Sequence, residues 1–294
     1  MKKSFILFAL SVICCITLAG CSGNGTDKKT DLKKQVENNN SNKKESETPL
    51  PSSTASGEQE NKQDSIQVCF IGNSLIDYGN QSNFLIDLSA CFGRTISVDK
   101  ITWGGAYLQD YVTGTFMDKK IIKKRLNKAD IVVFQDYGGW QKSKTWKAIQ
   151  KLITWCKEDA SFYYYMYDED DGEMQDSDYR KLSKLGLKLI PKGQMIDALT
   201  DMFYTYEDLH LENDFHPNIL NGYMAALVMN GTIFGEKCID LPQKWFFGEK
   251  EGRMAAAYEQ VINGIHGDSE QEKWEEFQKI CKQADQLVQN AKTQ

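Results

Sequence analysis

Histidine is scarce in this chain. Only His210, His216 and His266 occur among 294 residues, so chemistry that needs an imidazole has few places to happen. No CxxC pair exists. Of the eight cysteines, Cys14, Cys15 and Cys21 fall in the first apolar stretch, and Cys69, Cys91, Cys156, Cys238 and Cys281 are odd in number and widely spaced. That pattern suggests neither a zinc site nor a disulfide scaffold, and it reads most of these cysteines as buried small hydrophobes, Cys69 most clearly. No apolar run is long enough to span a bilayer. Residues 22–64 contain no aromatic residue, and no internal repeat is visible. A formal charge of −6 and no basic stripe along the chain argue against a nucleic-acid partner.

The chain opens with Lys2 and Lys3, an apolar core from Phe5 to Thr17, and then Leu18-Ala19-Gly20-Cys21. A basic start, a short apolar core and small residues at the cut site make a secretory signal. Its ending resembles the bacterial lipoprotein box, which implies acylation of Cys21 and attachment to the extracytoplasmic face of the cell membrane by a lipid anchor alone. Residues 22–64 hold seven lysines against eight acids and little else that is apolar. Such a segment cannot bury enough surface to offset its chain entropy, and it reads as a polar tether. One folded domain is expected over 65–294.

Within that domain, Val68-Cys69-Phe70-Ile71 is a continuous apolar run that ends abruptly in Gly72-Asn73-Ser74. A strand buried on both faces followed by a tight turn fits this pattern. Asp130 to Phe134 and Phe162 to Tyr167 repeat it, while Arg94 to Trp103 alternates and Lys188 to Ile190 is short. Helical spacing fills the gaps at 79–92, 119–128, 144–156, 178–185 and 195–204. Asn218 to Phe234 reads as a well-buried helix ended by Gly235, and two more helices are expected beyond Glu251. Five strands alternating with helices predict an α/β domain with a parallel sheet covered on both faces.

In such a sheet, ligands bind beyond the carboxyl ends of the strands, where Ser74 would sit. Gly72-Asn73-Ser74 alone is also ordinary turn and helix-cap chemistry. His216 lies in Asn213-Asp214-Phe215-His216-Pro217-Asn218, just before the buried helix. An imidazole held in a loop beside a carboxylate is a candidate general base. Tyr78, Trp103, Tyr137 and Trp140 fall on the same expected rim, where rings suit stacking on a sugar face as well as plain packing. The run Asp168 to Asp171 is read as a solvated acidic turn.

Gly72-Asn73-Ser74, Gly104-Gly105 after the second strand, and His216-Pro217-Asn218 with the following Gly222 to Leu227 together resemble the SGNH/GDSL hydrolase family over nearly all of the domain. The resemblance implies a flavodoxin-like three-layer α/β/α fold and a serine esterase mechanism that uses no cofactor and no metal. Carried over, Ser74 is the nucleophile, His216 the base, and the Ser74 and Gly105 amides form the oxyanion hole. Two positions depart from the family pattern. The third block usually supplies an asparagine, whereas here Phe134 is followed by Gln135, which could donate in its place. The family's acid lies three residues before the histidine, where this chain has Asn213; Asp214 is one residue closer. Either Asp214 orients His216 or the pair works as a dyad. The expected substrate is a small-molecule or glycan ester with a short, acetyl-like acyl group. The alternative is a lipoprotein that keeps the fold and binds a glycan or other ligand without catalysis.

Overall fold

A computed structural model describes residues 65–136, 142–166 and 176–293. The signal and tether (1–64), the acidic turn at 168–171, Tyr137 and Trp140 lie outside the described residues. Five parallel strands form one sheet in the order β2-β1-β3-β4-β5: β1 (Ile66–Gly72), β2 (Ile96–Thr102), β3 (Ile131–Gln135), β4 (Ser161–Tyr165) and β5 (Leu187–Ile190). This is the flavodoxin-like order, in which the winding reverses between β1 and β3. The central strands β1 and β3 are the ones whose sequences run apolar without alternation. Edge strand β2 alternates and leaves Asp99 and Lys100 exposed, as a half-covered strand should.

Successive residues of β1 feed opposite faces. Val68 and Phe70 pack into one core, and Cys69 and Ile71 into the other. On the first face lie α1 (Ser74–Asp77), α2 (Gln81–Cys91), α7 (Lys192–Asp201), α8 (Tyr206–Leu209), α9 (Ile219–Phe234), α10 (Gln243–Phe246), α11 (Gly252–Gly264) and α12 (Glu270–Thr293). On the second lie α3 (Leu108–Thr113), α4 (Lys119–Leu126), α5 (Lys142–Ile153) and α6 (Asp176–Lys184). The expected three-layer α/β/α fold is the one observed. Each large apolar side chain in these cores contributes about 1.5–3 kcal/mol by leaving water. All five cysteines of the domain are free thiols; Cys69, Cys238 and Cys281 are buried, and burial raises the pKa of Cys69 and brings that of Cys156 to about 12.

Helix α9 is the central piece of the first layer, buried over nearly its whole circumference, as an apolar helix with no polar face must be. Asn218 caps its start by accepting from the Asn221 amide at 3.0 Å, and Gly235 ends it at φ 78°. Near that start, Gly222 meets Gly79. A Cβ on Gly222 would lie 1.8 Å from the Gly79 carbonyl oxygen, so only glycine lets α9 approach the segment that follows α1.

Two points differ from the sequence reading. The helix read over 79–92 is the single helix α2, which starts only at Gln81 because Gly79 and Asn80 take left-handed φ angles of 71° and 60°. The short α3 and α8 carry too few apolar residues to show a period, and the sequence reading passed over both. In the second layer, the Lys123 ammonium of α4 lies 4.9 Å from the centre of the Trp155 ring, two residues past the end of α5.

Candidate active site

Ser74 is the first residue of α1, immediately beyond the carboxyl end of β1. What holds it there is Asn73, which is wholly buried. The Asn73 side chain accepts from the Leu75 amide at 3.0 Å, capping α1, and donates to the Ala106 carbonyl at 3.1 Å. Its own backbone N–H donates to Gln135 Oε1 at 2.8 Å. The Tyr111 hydroxyl donates to the Gly72 carbonyl at 2.5 Å. Thus the end of β1 is tied to the loop after β2 and to the end of β3. A buried polar group is tolerated when its hydrogen bonds are met, and here they also fix the turn.

Asp136, one residue past Gln135, extends this bracing. It accepts from the Leu108 amide at 3.3 Å and the Thr145 hydroxyl at 2.6 Å, linking the starts of α3 and α5. Sequence reading missed Asn73, Tyr111 and Asp136 as positioning residues, because nothing in a one-dimensional pattern distinguishes a polar group with distant partners from an ordinary turn residue.

His216 arrives from the opposite side, on the loop between α8 and α9. Its Nε2 lies 2.8 Å from Ser74 Oγ, and its Nδ1 lies 2.7 Å from Asp214 Oδ1. An ionised carboxylate only accepts, so Nδ1 carries the proton and Nε2 is left to accept from the serine hydroxyl. The hydrogen bond from His216 holds the Asp214 carboxyl below the ordinary carboxylate range. Asp214, not Asn213, reaches the ring for a local reason. Asn213 adopts a left-handed φ of 58°, and the Asp214 amide closes a turn onto the Leu211 carbonyl at 3.0 Å. Leu211 in turn donates to the His216 carbonyl at 2.9 Å, and His210 bridges to Pro217.

Two rings flank the imidazole: Tyr78 at 4.2 Å and Phe215 at 4.5 Å between centroids, both near parallel. Phe215 was not among the residues singled out from sequence.

Ser74 and His216 open into a cleft of about 600 Å³ lined also by Asp77, Tyr78, Trp103, Gly104, Gly105 and Phe215. Trp103 is half exposed and stacks on Phe116, with centroids 5.5 Å apart and planes 9° from parallel. Gln135, expected to donate into this space, is buried beneath it. Its Oε1 is taken by Asn73, its Nε2 is buried without a partner, and it is not part of the cleft wall. Among the described residues, no group of three or more histidine, cysteine, aspartate or glutamate side chains could hold a metal ion.

No protein-family model matches this sequence, and comparison with curated proteins finds no match. Comparison with solved structures does find similarities. A DUF4886 family protein from Bacteroides uniformis aligns over 69% of this chain and 95% of its own, at 18% identity and a TM-score of 0.50. A candidate SGNH hydrolase from Slackia heliotrinireducens aligns over 58% of this chain and 100% of its own, at 18% identity and a TM-score of 0.47. TesA aligns over 55% and 95%, at 11% identity and a TM-score of 0.40.

Proposed function

We propose that this protein is a serine esterase of the SGNH type. The observation that carries the reading is the unbroken line from Ser74 Oγ through the two nitrogens of His216 to Asp214, with contacts of 2.8 and 2.7 Å. The Ser74 oxygen attacks an ester carbonyl as its proton passes to His216 Nε2, and Asp214 stabilises the imidazolium that forms. The Ser74 and Gly105 amides are the donors for the oxyanion, since both residues line the cleft and α1 begins there. Collapse expels the alcohol, which takes the proton back from Nε2 and leaves an acyl-serine. Water then repeats the sequence, releasing the acid and restoring Ser74.

The acyl group is short, acetyl in kind, and the alcohol is a carbohydrate. An open cleft lined by Tyr78, Trp103 and Phe215 suits a flat sugar face better than a long alkyl chain. Cys21 carries the lipid that places the enzyme on the extracytoplasmic face of the membrane.

A fluorophosphonate probe, which labels only an activated serine, tests the chemistry. Labelling should be lost in Ser74→Ala and His216→Ala, with kcat on a short aryl ester down by about 10⁴-fold or more. Unlabelled wild-type protein would remove the esterase reading.

A further inference from the structure

Helix α4 carries Lys119, Lys120, Lys123, Lys124 and Arg125 and no acid. Helix α5 carries Lys142, Lys144, Lys147 and Lys151, again with no acid. Nine cations thus sit on two helices of one layer, in a chain whose net charge is −6. Arg125 pairs with Asp99 and is the one cation of α4 in a salt bridge among the described residues. Within each helix, like charges recur at close spacing. Lys119 and Lys123, Lys120 and Lys124, and Lys147 and Lys151 are all four residues apart, a spacing at which like charges destabilise a helix. A partner that brings negative charge at regular intervals would relieve this arrangement.

The face runs up to the cleft. Phe116 lies two residues before Asp118, the cap of α4, and it stacks on Trp103, which lines the cleft beside Ser74. An exposed aromatic pair therefore joins the proposed catalytic site to the basic helix. The face lacks what a membrane-interfacial helix needs, namely a broad apolar stripe turned outward. Among the described residues of α4 and α5, Ile121 is the only exposed large hydrophobic side chain.

We propose that the basic helix α4, with α5 in the same layer, is a docking track for an anionic polysaccharide, and that the ester cleaved at Ser74 is borne by that polymer. The track stands on the charge pattern alone; the second half rests on the esterase reading.

Affinity electrophoresis of the full-length chain against alginate, neutral dextran, phosphatidylglycerol vesicles and a DNA duplex separates the possibilities. Alginate should retard the protein at low ionic strength, less so as salt rises, and dextran should not. A variant with Lys119, Lys120, Lys123 and Lys124 changed to Glu should lose about tenfold or more in alginate affinity. The same four changed to Gln, which adds no acid to the helix, should give a smaller loss in the same direction. A control with Lys237, Lys244, Lys279 and Lys282 changed to Glu should stay within about twofold of wild type.

Turnover of a short aryl ester should be equal in all of these proteins, and turnover of acetylated alginate should fall only in the α4 variants. Equal losses in the α4 and control variants would overturn the track, as would tighter binding to vesicles or DNA than to alginate. If alginate binds by α4 but the wild type cleaves no aryl ester, the esterase reading fails and the track remains.

Discussion

The two halves of the candidate site are built differently. The serine half is a buried brace: Asn73 is wholly enclosed and makes hydrogen bonds to three separate segments. The histidine half is a surface loop, with the Asp214 side chain 37% exposed and held by a tight turn rather than by the core. One half takes its geometry from the fold as a whole, the other from a few backbone torsions. A substitution in the first should therefore disturb stability and activity together, whereas one in the second should change activity almost alone.

The largest effect that separates the halves is expected at Asp214. Asp214→Asn should lower kcat on a short aryl ester by about 10²–10⁴-fold, because the amide no longer favours the imidazolium or fixes the ring's tautomer. The melting temperature should hardly move. A variant that keeps wild-type turnover would make the site a serine–histidine dyad. Asn73→Ala comes next, removing the cap on α1 and the bond to Ala106. It should cost about 1–3 kcal/mol in denaturant unfolding, and kcat should fall with it. Lost activity at unchanged stability would show that the brace is not structural.

The smallest effect is electrostatic. Asp214 is held below its ordinary pKa chiefly by the hydrogen bond from His216. A depressed carboxyl favours the folded loop above its ordinary titration range, and that preference is lost as pH falls through the lowered value. In His216→Ala, the Asp214 titration followed by carbon-detected NMR should move up toward the ordinary range. An unmoved titration would mean that the carboxylate is held by something other than the imidazole.

The same division governs what could be read in advance. All five strands were legible, because burial on both faces writes an unbroken apolar run and burial on one writes an alternation. Helix α9 was legible with its capping glycine. Ser74 and His216 could be singled out because the turn and the scarcity of imidazoles drew attention to them. The choice between Asn213 and Asp214 could not be read, since it depends on the sign of one φ angle. Nor could the inward burial of Gln135, which needs its partner Asn73, 62 residues away. The lysines of α4 and α5 were visible in the sequence, but a basic helix alone looks like an ordinary wet surface, and only the fold puts both in one layer.

That segregation makes the isoelectric point of about 5.3 a poor guide to how the molecule meets a charged object. With nine positive charges on two helices of one layer and a net of −6, the rest of the chain holds fifteen negative charges in excess. An anionic surface that repels the chain as a whole is still attracted locally by these two helices, and the balance between the two shifts with ionic strength, since screening weakens the distant repulsion before the close attraction.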